Sequence, residues 1–308
     1  MRGQALRSNI IVTVGICVRN CESTLGQAIE SVMALDFPHE LMEIIIVDDG
    51  SMDRTPQLIR EYAKKIDMQL KIFDHKWKGL GYSRNIVVDN AKGRFILWVD
   101  GDMLLSRDYL TKLFDYMEKH PQVAIVKGKQ ALELGSNLLA TLEGFSRAAS
   151  RMVDYDSQKA KGKALGTGGA ICRLEAIKQT GKFDEKLKGY GEDLDTEIRI
   201  RSAGWKLAAI DAEFLDYERC RLTWRNLMNR YQLRGYYTHY FLHKHEGFLK
   251  HYKMLPPVAF LTGLIQANLL FRLTHVRGVF LLPFQHMLKM TAWYIGFAES
   301  HLKGYQPS

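Results

Sequence analysis

Residues 94–102 read RFILWVDGD, an apolar run that ends in two carboxylates one residue apart. The run over residues 94–99 predicts a strand that is buried on both faces of a parallel sheet. Asp100 and Asp102 follow it directly, and two carboxylates at the end of a strand can bind one divalent cation, Mg²⁺ or Mn²⁺. Because Asp-Gly pairs are also common in turns, a solvated turn is the alternative for this motif taken alone.

The chain around this motif alternates between strand and helix patterns. Repeated β-α units predict an α/β fold, with a mostly parallel sheet that is flanked by helices and joined by right-handed crossovers. In such sheets ligands bind at the carboxyl ends of the strands, so we expect the functional site at that edge. The other predicted strands cover residues 10–17, 43–47, 69–73 and 123–127, and the predicted helices cover residues 23–35, 55–65, 82–91, 106–119 and 192–202.

A second acidic motif, Val47-Asp48-Asp49-Gly50-Ser51, follows another of these strands. A carboxylate that leaves a buried strand at this edge can accept a hydrogen bond from a base imide or a ribose hydroxyl. Gly50 allows the chain to turn close to a ligand. Helix capping by Ser51 is the alternative explanation for the polar residues here.

Together with four further stretches, the two acidic motifs resemble those of the family 2 glycosyltransferases, which have the Rossmann-like GT-A fold. The resemblance covers about residues 9–216 and implies a GT-A catalytic domain over residues 1–216. The four stretches are Val18-Arg19-Asn20, Gly81-Tyr82-Ser83-Arg84-Asn85, Gly166-Thr167-Gly168-Gly169 and Gly191-Glu192-Asp193-Leu194-Asp195.

The resemblance implies a role for each matching residue. Asp49 would contact the nucleobase, Asp100 the ribose or the metal, and Asp102 would be the principal metal ligand. Asp193 would be the catalytic base, and Glu192 would hydrogen-bond the acceptor. Attack by a hydroxyl at an anomeric carbon needs a base, and departure of a diphosphate needs a cation, so the implied reaction is inverting transfer from a UDP- or GDP-sugar. Further donor contacts would come from Cys17, Arg19, Gly81 and Arg84.

Two features depart from the family pattern. Cys17 stands where the first strand often carries Pro or Thr, which puts its contact with the base in question. Many relatives have a metal-binding His after the catalytic helix, whereas residues 211–216 contain none. The third metal ligand is therefore left open.

The composition limits the class of protein. With 46% hydrophobic and 25% charged residues, the 308-residue chain is neither disordered nor a polytopic transporter. Its four cysteines form no Cys-X-X-Cys pair, so we expect a reducing compartment and no zinc ribbon. Residues 1–216 carry 31 basic and 31 acidic side chains, so the whole net charge of +9 lies in the last 92 residues. We therefore expect no nucleic-acid partner.

Residues 217–308 predict a helical region that associates with a membrane. In residues 217–253 basic side chains alternate with aromatic ones, a composition that favours an anionic lipid surface. Arg230 and Arg234 lie one helical turn apart and are candidates to reach the donor diphosphate. Residues 254–271 carry no charge but contain two prolines and have basic flanks. This pattern favours helices that lie in the membrane interface or re-enter the membrane from one side. Helices that cross the membrane and a soluble helical cap are the alternatives.

The sequence thus predicts a metal-dependent inverting glycosyltransferase at the cytoplasmic face of the cell membrane, peripheral or monotopic, that acts on a lipid-linked or other membrane-delivered glycan acceptor. The nearest alternative is a polyprenyl-phosphate glycosyltransferase of the same fold. Its acceptor is already anionic and needs no base, so Asp193 argues against it. An inactive module that binds nucleic acid or tethers a membrane is the alternative of another class.

Overall fold

The computed structural model of the chain describes residues 9–151, 164–215, 222–246 and 254–305, and the side chains of these residues except 150 and 151. The elements are numbered here in chain order. They are β1 (Val12–Val18), α1 (Leu25–Met33), β2 (Met42–Asp48), α2 (Thr55–Ala63), β3 (Gln69–Asp74), α3 (Leu80–Asn90), β4 (Phe95–Trp98), β5 (Leu104–Leu105), α4 (Tyr109–Lys119), β6 (Val123–Gln130), α5 (Leu138–Arg151), β7 (Ala170–Arg173), α6 (Leu174–Gln179), α7 (Glu192–Ser202), β8 (Lys206–Leu215), α8 (Trp224–Lys244), α9 (Pro256–Thr274) and α10 (Leu282–Lys303).

The described strands form one sheet in the order β3-β2-β1-β4-β7-β6-β8-β5. The pairs β2/β3, β1/β2, β1/β4 and β6/β8 are parallel, and the pairs β4/β7, β6/β7 and β5/β8 are antiparallel. The predicted α/β class with a mostly parallel sheet is confirmed. Two of the antiparallel pairs arise because the short strand β7 lies between β4 and β6 and runs against both, and the third is the pair β5/β8.

The central strands are apolar on both faces because each face is covered by helices. In β2, Ile44 and Ile46 pack into one core cluster, and Ile45 and Val47 pack into the cluster on the opposite face. This alternation is the geometry of a strand, in which successive side chains point to opposite faces. Each of these four side chains is fully buried, and burial of one such side chain contributes about 1.5–3 kcal/mol.

Several predicted element bounds shift by a few residues. Helix α1 covers Leu25–Met33, within the predicted residues 23–35, and Thr24 is its N-cap residue. Helix α4 begins at Tyr109 rather than at residue 106. Helix α5 covers Leu138–Arg151, and residues 152–163 lie outside the described residues.

The three C-terminal helices pack tightly against one another and against α5. A Cβ atom at Gly235 of α8 would lie 1.9 Å from the main-chain oxygen of Trp293, and one at Gly296 of α10 would lie 1.8 Å from that of Gln232. Only glycine therefore permits this approach of α8 to α10. Leu142 and Phe145 of α5 share a core cluster with the side chains Ala267, Leu270, Val279 and Leu282.

The predicted membrane-associating region over residues 217–308 corresponds to α8, α9 and α10. Among the described residues, α9 is the one helix that is long and apolar enough to cross a membrane, by length and composition alone. The predicted boundary after residue 216 stays a prediction. The basic residues Arg219, Arg221, Lys250 and Lys253 lie outside the described residues.

Candidate active site

A cavity of about 720 Å³ lies between the carboxyl end of β4 and the C-terminal helices. Its wall is formed by the loop after β4, the glycine loop at residues 166–168, the start of α7 and residues of the helices α3, α5, α8, α9 and α10. Its lining residues run from Leu80 to Met290 in the sequence. Seven of the predicted site residues line it: Arg84, Asp100, Asp102, Glu192, Asp193, Arg230 and Arg234.

The other predicted donor residues lie outside the lining of this cavity. The carboxylate of Asp49 accepts hydrogen bonds from the main-chain N–H of Lys78 at 2.8 Å and from that of Gly79 at 3.1 Å. These bonds fix the loop that precedes α3. The guanidinium of Arg19 lies over the ring of Trp77, 5.2 Å from its centroid.

Cys17 and Gly81, two further predicted donor residues, lie in closely packed surroundings. Burial raises the pKa of the Cys17 thiol to about 12, so this thiol stays neutral and is not a nucleophile. A Cβ atom at Gly81 would lie 2.9 Å from the main-chain oxygen of Asp184, so a larger residue would push α3 away from the loop before α7.

Asp100 and Asp102 offer the oxygen ligands that Mg²⁺ and Mn²⁺ prefer. Both carboxylates line the cavity directly after β4, and a Cβ atom at Gly168 would lie 2.2 Å from Oδ2 of Asp100. Within the part of the chain that the structure describes, no group of three or more His, Cys, Asp or Glu side chains is arranged to hold a metal ion. The pair therefore fits a cation that takes its remaining ligands from donor phosphate and water.

The first turn of α7 carries three carboxylates with three different environments. Glu192 is buried and pairs with Arg84, with its Oε1 2.7 Å from Nη1. Burial raises the pKa of Glu192, although the Arg84 guanidinium opposes that shift. Asp195 is fully buried and pairs with Lys244 at 2.8 Å and with His245 at 2.7 Å, at the C-terminal end of α8.

Asp193 is the remaining carboxylate of this turn. It is half-buried, lines the cavity, and accepts a hydrogen bond from the main-chain N–H of Leu194 at 2.7 Å. No ion-pair partner for it occurs among the described residues. Of the three carboxylates, Asp193 is the one that lines the cavity without an ion pair among the described residues.

The glycine loop beside Asp193 is held by two buried ionic side chains. Nζ of Lys127 donates to the main-chain oxygen of Leu165 at 2.9 Å, while Oε2 of Glu197 accepts from the main-chain N–H of Leu165 at 2.8 Å. Gly166 has a φ of +68°, and a Cβ atom there would lie 3.3 Å from Oδ2 of Asp193. Lys127 and Glu197 were not predicted as site residues from the sequence. The signal that could have indicated Lys127 is its position as a charged residue at the end of an apolar strand.

The helical wall of the cavity contains a second buried network. Oε2 of Glu143 in α5 lies 2.9 Å from Nζ of Lys289 in α10, and its Oε1 accepts from the Tyr231 hydroxyl at 3.1 Å. Burial alone would raise the pKa of Glu143, but Lys289 and Arg234 outweigh it and lower the pKa to about 2. Arg234 lies over the rings of Tyr231, at 4.8 Å, and Tyr190, at 5.3 Å.

Sequence models of two related families match most of the chain. The model described as "Glycosyl transferase family 2" matches residues 13–153, and the one described as "Glycosyl transferase family group 2" matches residues 95–298. The chain belongs to the family 2 glycosyltransferases.

Curated relatives of this glycosyltransferase come from bacteria. The putative glycosyltransferase EpsE of Bacillus subtilis is 29% identical over 206 residues, which is 63% of this chain and 68% of EpsE. The poly(ribitol-phosphate) beta-N-acetylglucosaminyltransferase TarS of Staphylococcus aureus is 30% identical over 111 residues, which is 36% of this chain. The aligned residues make up 19% of the length of TarS, so the sequence match covers one part of that longer protein.

Solved structures show the same fold over nearly the whole chain. The mannosyltransferase PcManGT of Pyrobaculum calidifontis, in complex with GDP-Man and Mn²⁺, superposes with a TM-score of 0.66 at 18% identity over 96% of this chain and 88% of that one. Residues 1–349 of S. aureus TarS in complex with UDP give a TM-score of 0.55 at 19% identity, over 96% and 92% of the two chains. The GT-A fold predicted for the glycosyltransferase is thereby confirmed.

Proposed function

We propose that this glycosyltransferase transfers a sugar, with metal assistance and inversion, from a UDP- or GDP-sugar to a hydroxyl of a lipid-linked or other membrane-delivered glycan. One observation carries the proposal: the carboxylate pair Asp100 and Asp102 and the carboxylate of Asp193 line one cavity. The pair suits a diphosphate-bound cation, and Asp193 suits a base for the attacking hydroxyl.

In the proposed reaction Asp193 accepts the proton of the acceptor hydroxyl. The hydroxyl oxygen then forms a bond to the anomeric carbon while the bond from that carbon to the diphosphate oxygen breaks. A single displacement of this kind inverts the configuration at the anomeric carbon. When bound, Mn²⁺ or Mg²⁺ would neutralise charge on the departing diphosphate.

Two cations of α8 would assist on the side opposite the carboxylate pair. The guanidinium of Arg234 lines the cavity between two tyrosine rings, and Arg230 lines it one turn earlier. Positive charge held in advance near a developing negative charge lowers the barrier without reorganisation. We therefore assign both arginines to the donor diphosphate.

The donor class is tested by a thermal-shift panel of UDP-, GDP- and dTDP-sugars, each with Mn²⁺ and with a chelator in its place. We expect one nucleotide series to raise the unfolding temperature when Mn²⁺ is present. A ligand at a hundred times its Kd stabilises a protein by about 2.7 kcal/mol. A flat response to every nucleotide would overturn the proposal.

The apolar face of α9 and α10 is proposed to lie in the membrane interface. Helix α9 carries no acidic residue. The large apolar side chains that α9, α10 and the segment between them expose are Leu261, Leu264, Ile265, Leu269, Leu273, Phe280, Leu281, Phe284, Leu288 and Ile295. Arg272 and Arg277 flank the face and suit anionic headgroups. A monotopic position at the cytoplasmic leaflet would bring the acceptor to the helical side of the cavity.

Vesicle flotation tests this position. We expect the glycosyltransferase to float with vesicles that contain phosphatidylglycerol, and the double variant Leu261→Ser/Ile265→Ser to bind at least about tenfold more weakly. The control is Leu134→Ser, because Leu134 is 63% exposed, between the exposures of Leu261 at 58% and Ile265 at 73%, and lies outside the C-terminal helices. Equal flotation of all three proteins would contradict a membrane-facing α9.

A further inference from the structure

Tyr190 presents an aromatic ring inside the cavity rather than to the core. Its side chain is 37% exposed and lines the cavity two residues before Glu192 and three before Asp193. Most aromatic rings near this site are packed against other side chains, as Trp98 is against Phe183. An aromatic ring left open next to a catalytic carboxylate is a surface for a ligand.

The ring is held in place by its neighbours. The guanidinium of Arg234 lies 5.3 Å from its centroid and is itself stacked on Tyr231. Gly189 precedes it at a point where a Cβ atom would lie 2.3 Å from the ring of Tyr237, and Gly191 follows it with a φ of +96°. The backbone on both sides of Tyr190 therefore tolerates only glycine without displacement, which fixes the ring relative to Asp193.

The polar end of Tyr190 is also available. Among the described residues, its hydroxyl has no hydrogen-bond partner. Leu194 and Leu233 line the same cavity, and Leu233 is about half exposed. The wall beside Asp193 thus combines an apolar patch with one free hydroxyl.

We propose that Tyr190 is the platform on which the acceptor's reacting sugar ring stacks, so that the acceptor is a pyranoside rather than an open-chain polyol or a bare lipid phosphate. One face of a pyranose consists of C–H groups, which pack on an aromatic ring by dispersion. Its hydroxyls point outward from the ring edge, where one of them reaches Asp193. The inference rests on the proposed function, because it takes Asp193 as the base.

A binding experiment on the full chain tests the platform. The probes are octyl glycosides of glucose, galactose, mannose and N-acetylglucosamine, with octyl glycerol ether as the open-chain polyol and farnesyl phosphate as the lipid phosphate. Each is titrated by saturation-transfer NMR into protein that contains Mg²⁺, which is diamagnetic, and the nucleoside diphosphate of the donor. We expect at least one glycoside to bind, with saturation strongest on the C–H protons of one ring face.

Three variants separate the platform from a structural role. We expect Tyr190→Ala to weaken glycoside binding about tenfold and Tyr190→Phe, which keeps the ring, to weaken it by less than about threefold. Trp224→Ala is the control, because Trp224 is an exposed aromatic residue on α8 outside the cavity lining. Tyr190→Phe and Trp224→Ala should bind the donor nucleotide-sugar as the wild type does. In Tyr190→Ala the loss of donor affinity should be smaller than the loss of glycoside affinity, because Arg234 keeps its position over the ring of Tyr231.

Each contrary result overturns the platform. Binding of farnesyl phosphate or glycerol ether alone, binding of no probe, or glycoside binding that Tyr190→Ala leaves unchanged would each do so. A loss of affinity for the nucleotide-sugar but not for the glycoside would assign the ring to the donor sugar instead. Mn²⁺-dependent donor hydrolysis by the wild type separates this outcome from a failure of the proposed function. If the wild type hydrolyses the donor but the platform test fails, only the role of Tyr190 is wrong; if the wild type does not hydrolyse it, the proposed function itself is wrong.

Discussion

The two walls of the cavity are built in different ways. The sheet wall carries Asp100 and Asp102. These two carboxylates lie close together because one residue separates them in the sequence, directly after the strand β4. The helical wall carries Arg234 and Lys289, which are brought to the cavity by two helices and a buried carboxylate, Glu143, on a third. The sheet wall is therefore local and acidic, whereas the helical wall is assembled by tertiary packing and is mainly basic.

Because of this difference, we expect substitutions in the two walls to change different properties, activity in one and stability in the other. The carboxylates of the sheet wall lie at the edge of the cavity after β4, so removing one of them should act mainly on the chemistry of the site. A member of the helical network cannot be removed in this way, since each buried charge in it is neutralised by the next. Loss of chemistry and loss of stability should therefore separate between the two walls.

The largest effect is expected on the sheet wall. Asp102→Ala removes a proposed metal ligand and should lower Mn²⁺-dependent donor hydrolysis by more than about a hundredfold, with a smaller loss of unfolding free energy than Glu143→Gln causes. Asp211→Ala is the matched control, because the Asp211 side chain is 90% exposed and its ion pair is with Lys129, which is also exposed. If hydrolysis survives in Asp102→Ala, the cation is held elsewhere.

The next effect is expected on the helical wall. Glu143→Gln leaves the buried ammonium of Lys289 without a counter-charge and should lower the free energy of unfolding by about 3 kcal/mol. The control is Arg107→Gln, which breaks an exposed pair with Asp36 and should change that free energy by less than about 1 kcal/mol. Denaturant unfolding of the three proteins measures both values, and equal losses would show that the buried network adds nothing.

The same network predicts a pH dependence. The pKa of Glu143 is lowered from 4.5 to about 2 in the folded chain, so its contribution to stability is present above about pH 4.5 and is lost as the pH falls toward 2. The difference in unfolding free energy between the wild type and Glu143→Gln should therefore shrink as the pH is lowered from 6 to 3. A difference that stays constant over this range would mean that Glu143 is not ionised when buried.

The smallest effect is expected at the glycine loop that joins the two walls. Gly166→Ala introduces a side chain at a positive φ and should cost about 1 kcal/mol of stability, while its Cβ displaces Asp193 and slows transfer. Gly204→Ala is the matched control, because Gly204 has a φ of +91° and no atom within 4 Å of an added Cβ. It should cost the same stability and leave transfer intact, so equal rates for the two variants would contradict the contact with Asp193.

The sequence predicted the sheet wall well because its signals are local. Buried strands are apolar runs, and Asp100 and Asp102 follow one of them directly, so position in the sequence translates into position at the sheet edge. The short strand β7 was missed, since its four residues lie in an apolar-polar mixture without a clear period. Its pairing with β4 and β6 is decided by tertiary contacts.

The helical network could not be predicted from the sequence. Glu143 and Lys289 are 146 positions apart, and in the sequence Lys289 is merely a charge that interrupts an apolar stretch. Lys127 and Glu197 are likewise separated by 70 positions, and both bond the main chain of Leu165 and Gly166. Pairing of buried charges across helices leaves no pattern along a single chain, so these residues emerge only from the packed structure.

The central claim, that Asp193 is the base for a hydroxyl acceptor in a metal-dependent transfer, is tested most directly by Asp193→Asn at saturating donor. The account predicts that this variant binds the nucleotide-sugar as the wild type does but transfers the sugar to a glycoside at least about a hundredfold more slowly. Full turnover by Asp193→Asn would contradict the account and would favour an acceptor that is already anionic, such as a polyprenyl phosphate.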